Sequence, residues 1–496
     1  MTGFDKDMNR REFMKTAAVT AGAIGLGAVG MIGHTGCSDS NSSSRSQVLA
    51  RVEVPEYLED LNLPVYADME DGDEVYYALV IALESELIAA NVTYRVLDDY
   101  LPGVRYLIAW EDEDADREEA AKIVPVLYDD GEHIIVRYRP ELSELLPELG
   151  FVLKIMSSTP ISYTDEEAAV RMLVATAVDK HAQVEAMINA VSEDSIRSRL
   201  EVLSGEKQVL VEGTPYTFTT RHTSSGEPVR KATQYVYDQL KEMGLNPYFQ
   251  DWASEFEDYP LKNRNVVGEI TGQRNPEEII ILIAHLDSIT NDKNGLSPGA
   301  DDNGSGCVAL LTAAEIMKGY QFQKTIRFVF TTGEEQSLFG GEHHAGWVKT
   351  QSQKIAAVIN LDMIAYCKKY NDQGKLQQQV KTRHHKNRTG YAKDEPIANT
   401  YLDVVKVYGL NAVLDAFIED DGEPTSDHSP FWDRKYGAIW VIEYAEKGFL
   451  NPKMHTKNDK IGDDTGKDYL DFSYLAATVK ASLGTGAHLA EVMNLL

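Results

Sequence analysis

The sequence predicts an α/β protein whose second half is a mostly parallel mixed sheet flanked by helices, with a small α+β domain in front of it. Three observations carry this. Runs such as Ile279 to Ala284 and Ile326 to Thr331 are aliphatic and β-branched on both faces, as strands covered on both sides must be. They alternate with helix-compatible stretches such as Gly306 to Lys318 and Leu338 to Lys349, the rhythm of βαβ units. A chain of 496 residues also exceeds what one hydrophobic core ordinarily supports, so a second folded unit is expected.

In chain order, residues 1–37 read as an export signal and stand outside the fold. Arg10-Arg11-Glu12-Phe13-Met14-Lys15 precedes a Gly/Ala-rich apolar stretch from Thr16 to Ile32. The paired arginines resemble a twin-arginine signal, a route that exports folded proteins. An ordinary secretory signal or a single membrane anchor is the alternative. His34-Thr35-Gly36-Cys37 resembles a lipoprotein cleavage site, with His34 where an aliphatic residue is usual, and lipid on Cys37 would tether the protein to a membrane surface. Localisation is then periplasmic or at the cell surface. Residues 38–50, rich in Ser and Asn, read as a flexible tether.

Residues 51–157 form the small acidic α+β domain. Short strand-like runs, Tyr76 to Ile81, Tyr106 to Trp110 and His133 to Tyr138, alternate with helical ones such as Pro140 to Leu149. Nothing in it has the spacing of a catalytic site, and Glu111 to Asp116 reads as a solvated acidic loop. Pro-region, substrate gate and structural appendage are the readings open to this domain. Residues 158–204 read as a helical connector, with Val170, Leu173, Val174 and Ala177 on one face. The α/β body takes up 205–496: beyond the runs above come Ala356 to Leu361, Thr400 to Tyr408, Ala438 to Ile442 and a long helix from about Tyr469. Lys368 to Asn387, basic and polar, reads as a surface insertion near the site rim.

Composition narrows the function. Hydrophobic residues at 43% and charged residues at 25% exclude wholesale disorder and a polytopic membrane protein. A net charge of −30 excludes a phosphate-binding surface of the kind nucleic acid needs; solubility, or a saline habitat, accounts for it. The three cysteines lack disulfide-framework and metal-ligand spacing, and Cys307 and Cys367 read as small core residues.

The chemistry lies at the strand ends. His285 and Asp287 follow the first strand of the α/β body, Asp301-Asp302 opens the next helix, Glu334-Glu335 follows the second strand, Asp362 ends the third, and His455 lies beyond Ala438 to Ile442. In open α/β sheets that rim is where ligands bind. Singly, each is more often a turn or cap residue; together, two histidines and several carboxylates suit zinc or a similar divalent ion. One ion would leave carboxylates uncompensated, so two cations are expected.

His285-x-Asp287, Gly299-Ala300-Asp301-Asp302-Asn303-x-Ser305-Gly306, Gly333-Glu334-Glu335, Asn360-Leu361-Asp362-Met363 and His455-Thr456 resemble the motif series of the co-catalytic two-zinc aminopeptidases. That family also contains glutaminyl cyclases and glutamate carboxypeptidases, and the resemblance spans about residues 200 to 496. It implies the zinc exopeptidase fold, peptide substrates and two Zn2+ ions. Asp302 would bridge them, His285 and Asp362 completing one site and Glu335 and His455 the other. Glu334 would be the general base and Asp287 would orient His285, while the Asp302–Asn303 peptide is expected to be cis. Thr425-Ser426-Asp427-His428-Ser429-Pro430-Phe431 resembles a further family motif near the substrate, placing Asp427 and His428 in the pocket wall or a structural loop, and Tyr366, just past Asp362, is a further candidate to line the pocket. The pairs His343-His344 and His384-His385 read as exposed surface.

The resulting expectation is a zinc aminopeptidase. Glutaminyl cyclase chemistry generally uses one zinc, a carboxypeptidase would need an arginine cluster for the terminal carboxylate, and a non-catalytic receptor-like binding protein would typically lose ligands.

Overall fold

The computed structural model describes residues 46–71, 73–111, 115–161, 178–254, 261–290, 292, 294–446, 448–463 and 465–493. The export signal, the lipidation site and the apolar face from Val170 to Ala177 therefore lie outside the described residues.

The amino-terminal domain is two four-stranded antiparallel sheets. Strands β1 (Gln47–Glu53), β2 (Val65–Glu70), β3 (Tyr76–Leu83) and β4 (Tyr94–Asp99) pair in the order β2-β3-β1-β4. Strands β5 (Tyr106–Glu111), β6 (Val126–Asp129), β7 (His133–Arg137) and β8 (Phe151–Ile155) pair as β6-β7-β5-β8. Alternation divides their side chains between layers: Leu49, Tyr77 and Leu79 of the first sheet meet Tyr106 and Ile108 of the second, while Leu107, Ala109 and Leu153 face a separate cluster on the other side. The expected α+β domain is present, but it begins at Gln47, inside the stretch read as tether. Val48, Leu49 and Ala50 are apolar enough to add a buried strand, and the Ser-rich composition before them obscured it.

After the hairpin β9 (Val209–Val211) and β10 (Thr214–Tyr216), the second half forms an eight-stranded mixed sheet. Its strands are β11 (Tyr248–Ala253), β12 (Lys262–Ile270), β13 (Asn275–His285), β14 (Lys324–Thr331), β15 (Lys354–Leu361), β16 (Leu376–Lys381), β17 (Leu414–Glu419) and β18 (Ala438–Glu443). Their order is β11-β12-β14-β13-β15-β18-β16-β17, with β14, β13, β15 and β18 mutually parallel. One face is covered by helices Gly306–Met317 and Phe472–Leu489, the latter capped by the Asp471 carboxylate; the other is covered by helix Phe339–Thr350 with Phe431 and Trp432. Among the described residues no helix is long and apolar enough to cross a membrane.

Four expectations change. The described part of the connector, helices Ala182–Ala190 and Glu193–Leu203, buries Val184, Met187, Ile196 and Leu200 in the main core, so it is a layer of the α/β body. Thr400 to Tyr408 is the end of a longer helix, Arg388–Val407, and its closing residue. His344 is buried, its Nδ1 2.9 Å from Gln250 Oε1, although His343 beside it is exposed. Lys368 to Asn387 is not a surface insertion, because it contains β16, an inner strand between β18 and β17. Polar residues hide there because each has a partner: Gln378 donates to Thr478 Oγ1 at 2.8 Å and accepts from Tyr401 Oη at 2.7 Å, and Lys381 pairs with Glu423. Cys307 and Cys367 are buried and unpaired, as expected of core residues.

Gln378→Ala removes these core hydrogen bonds while leaving their partners buried. The expected cost is about 1–3 kcal/mol, read as a lower midpoint in equilibrium urea unfolding; an unchanged midpoint would mean that water replaces the amide.

Candidate metal centre

Adjacent parallel strands deliver their carboxyl ends to one rim, and four do so here. His285 closes β13, Asp362 directly follows β15, and Glu334 and Glu335 follow β14 through the positive-φ turn at Gly333. Asp302 lies in the turn Ala300–Ser305 that opens helix Gly306–Met317, and His455 comes from the loop after β18. The turn sits against β15 because residue 306 is glycine: a Cβ there would stand 2.2 Å from the Leu361 carbonyl oxygen. Asn303 completes the join, donating to that carbonyl at 2.8 Å and accepting from Gly306 N at 2.8 Å. The Asp302–Asn303 peptide is cis, as the motif resemblance implied.

The structure brings together all five residues expected to hold metal. His285 Nε2 lies 3.1 Å from Asp302 Oδ1 and 3.2 Å from Asp362 Oδ1. On the other side, His455 Nε2 lies 3.2 Å from Asp302 Oδ2 and 3.1 Å from Glu335 Oε2. Asp302 thus turns one oxygen to each imidazole. Glu334 is close enough that one of its oxygens, one from Asp362 and a ring nitrogen of His285 lie within 4.8 Å of one another. Asp287 reaches His285 chiefly through its backbone: its carbonyl oxygen is 3.2 Å from His285 Nδ1, and its carboxylate 3.7 Å away.

Burial makes this crowding costly. Burial, then the neighbouring Asp302, pushes Glu335 up to about 7, and burial raises Glu334 well above the carboxylate range with Asp362 and Glu335 adding to it. Burial works against ionisation of Asp302 too, but hydrogen bonds from His285 and His455 hold it below the usual range. Burial opposes charge on His285, yet Asp362 and Glu334 raise its pKa. Glu335 Oε1, His455 Nδ1 and Asp287 Oδ1 are buried and lack a hydrogen-bond partner. Imidazole nitrogens and carboxylate oxygens, crowded and in part unpartnered, fit divalent cations, which would compensate the buried negative charge.

Of the two readings open to Asp427 and His428, the structure places both in a buried loop, and Tyr366 also lies away from the pocket. Asp427 is fully buried and accepts from Thr331 Oγ1; His428 is fully buried, stacked on Trp440 at 5.0 Å, with Nε2 3.0 Å from the Glu423 carbonyl; Tyr366 stacks on Tyr469 at 5.2 Å. None of the three lines the pocket beside the metal centre. The motif's short polar residues could not reveal which of them face inward.

Supporting residues were also missed. Ser426 Oγ donates to Asp362 Oδ2 at 2.6 Å while accepting from Asn360 Nδ2 at 2.7 Å. The Asp459 carboxylate accepts from the backbone N–H groups of Asp301 and Asp302, and Thr223 Oγ1 donates to Asp287 Oδ2. Buried Arg221 donates to the Leu203, Leu286 and Gly299 carbonyls. Ser426 lay inside a recognised motif, but nothing in the sequence marks Arg221.

Such a donor set, with a spare buried glutamate beside it, belongs to the hydrolytic metalloenzymes. Comparison with known proteins narrows the class: residues 265–473 match the model of Peptidase family M28. Leucine aminopeptidase 1 of Arthroderma gypseum is 27% identical over 363 residues, 69% of this chain and 88% of the relative. A probable zinc metalloprotease of Leptosphaeria maculans is 24% identical over 347 residues, 62% of this chain and 78% of the relative. The LapA aminopeptidase structure of Legionella pneumophila has the same fold, with a TM-score of 0.54 and 21% identity over 79% of this chain and all of that one.

Ser426→Ala removes a hydrogen bond to Asp362 and leaves Asn360 Nδ2 without that acceptor. Metal affinity is expected to fall about 10–100-fold, measured by competition with a fluorescent chelator; unchanged affinity would make Ser426 a packing residue only.

Proposed function

We propose that this chain is an exported zinc aminopeptidase that removes N-terminal residues from peptides, with two zinc ions held by His285, Asp302, Glu335, Asp362 and His455. The observation that carries the reading is Asp302, whose two oxygens each face a different imidazole, each imidazole also facing a further carboxylate. Asp302 is assigned as the shared ligand, His285 and Asp362 completing one position and Glu335 and His455 the other. The family match and the names of the leucine aminopeptidase relatives support peptide hydrolysis from the amino terminus.

Bound zinc would polarise the scissile carbonyl and acidify the attacking water near neutral pH. Glu334, beside His285 and Asp362 but outside the assigned ligand set, takes the proton from that water and returns it to the leaving amine nitrogen as the carbon–nitrogen bond breaks. His285 donates its Nδ1 proton to the Asp287 carbonyl, which leaves the Nε2 lone pair facing Asp302 and Asp362. Ser426 holds Asp362 in the same way from the other side.

Export rests on Arg10-Arg11 and the apolar stretch that follows, and a lipid anchor on Cys37 would keep the enzyme at a membrane surface. A route that carries folded proteins suits an enzyme that loads metal before leaving the cytoplasm.

Two results are expected. Elemental analysis of the purified chain gives about two zinc ions per chain, and 1,10-phenanthroline removes activity that added zinc restores; one ion per chain would overturn the shared-ligand assignment. Glu334→Gln keeps its metal but loses about 10²–10⁴-fold in turnover of leucyl-anilide. Equal hydrolysis of N-acetyl-leucyl-anilide by the unaltered chain would sink the aminopeptidase reading.

A further inference from the structure

The pocket in front of the metal centre is not built by the α/β body alone. It has a volume of about 170 Å³, and His285, Asp302, Glu334, Glu335, Asp362 and His455 all line it. One side of it is Met363, Trp440, Ile442 and Met454, an apolar cluster continuous with ligand neighbours in the chain. Trp110, Val152 and Leu153 also line it, and these belong to the amino-terminal domain.

Strand geometry explains how that domain reaches the site. Trp110 and Val152 are paired across β5 and β8, and both pack on the cluster between the two amino-terminal sheets. Two residues along β8 from Val152, on the same face, is Lys154. Its buried Nζ crosses to the α/β body, donating to Ser429 Oγ at 2.7 Å and pairing with Asp433 at 2.9 Å. Tyr76 stacks on His384 at 4.3 Å, and Leu58 N donates to the Lys386 carbonyl, so the two units are joined at several points. A buried lysine charge with partners on the opposite domain is costly to separate.

We infer that the amino-terminal domain is a fixed wall of the substrate pocket and that Val152 and Trp110 set the size limit on the N-terminal residue released. This rests on the aminopeptidase reading and deepens it. The apolar lining of the pocket beside the metal centre comes from both domains. Widening or narrowing the wall at Val152, which is only half-buried, changes the room available without touching the metal ligands.

The test uses the full chain with Val152→Ala and Val152→Phe, assayed on alanyl-, leucyl- and phenylalanyl-anilide, with thermal unfolding as the check on folding. Val152→Ala is expected to raise the phenylalanyl-to-alanyl ratio of kcat/KM about tenfold, and Val152→Phe to lower it by a similar factor. If Val152→Phe does not fold, Trp110→Phe, which also enlarges the pocket, replaces it and must shift the ratio in the direction of Val152→Ala. Unchanged ratios overturn the inference, and so does a uniform rise on all three substrates, which would make the domain an inhibitory cover. An unaltered chain that hydrolyses none of the anilides defeats the aminopeptidase reading itself.

Discussion

The structure depends on the carboxylate of Asp302 facing two imidazoles at once. Parallel strands help make this possible, because the carboxyl ends of adjacent parallel strands, with the loops that leave them, deliver side chains from distant parts of the chain to one rim. The cost is a cluster of acids taken out of water. Hydrogen bonds from Ser426 and Thr223 orient the Asp362 and Asp287 carboxylates, the Asp459 carboxylate accepts from the backbone N–H of Asp302, and a divalent cation would compensate the buried charge. The local backbone follows the same demand: Gly306 and Asn303 bring the turn carrying Asp302 against the end of the strand carrying Asp362.

Around this centre the sheet divides its labour. The parallel strands β14, β13, β15 and β18 hold the polar rim, while the antiparallel strands at either edge extend the platform. Helices on one face bury a large apolar cluster, and on the opposite face Phe431 and Trp432 follow directly from the loop that supports Asp362. The same loop that steadies Asp362 therefore also seals a core.

Much of this was legible in the sequence. The apolar runs at Ile279 to Ala284 and Ile326 to Thr331 announced their strands because both faces are buried, and the residue types at their ends announced the site because each strand end carried a His or an acid. What the sequence concealed was polar burial. The Gln-rich strand β16 looks like surface until Tyr401, Thr478 and Tyr474 supply its partners, and Arg221, fully buried, saturates carbonyls that no local pattern reveals. Asp427 and His428 were legible as a motif but not in their direction, because facing the pocket or the core depends on a fold around them. The amino-terminal wall was hidden for a related reason: Trp110 and Val152 look like ordinary strand residues, and only docking gives them a second role.

The bridge from Lys154 to Ser429 has a consequence for how such a chain changes over generations. Ser429 lies three residues beyond Ser426, so one short segment answers both to a strand of the first domain and to Asp362. A replacement on β8 that displaced the lysine would strand the charge of Asp433 and loosen the same segment. The two domains are therefore not free to diverge separately, and a chimera that exchanged the first domain with a relative's would have to carry residues 426–433 along with it.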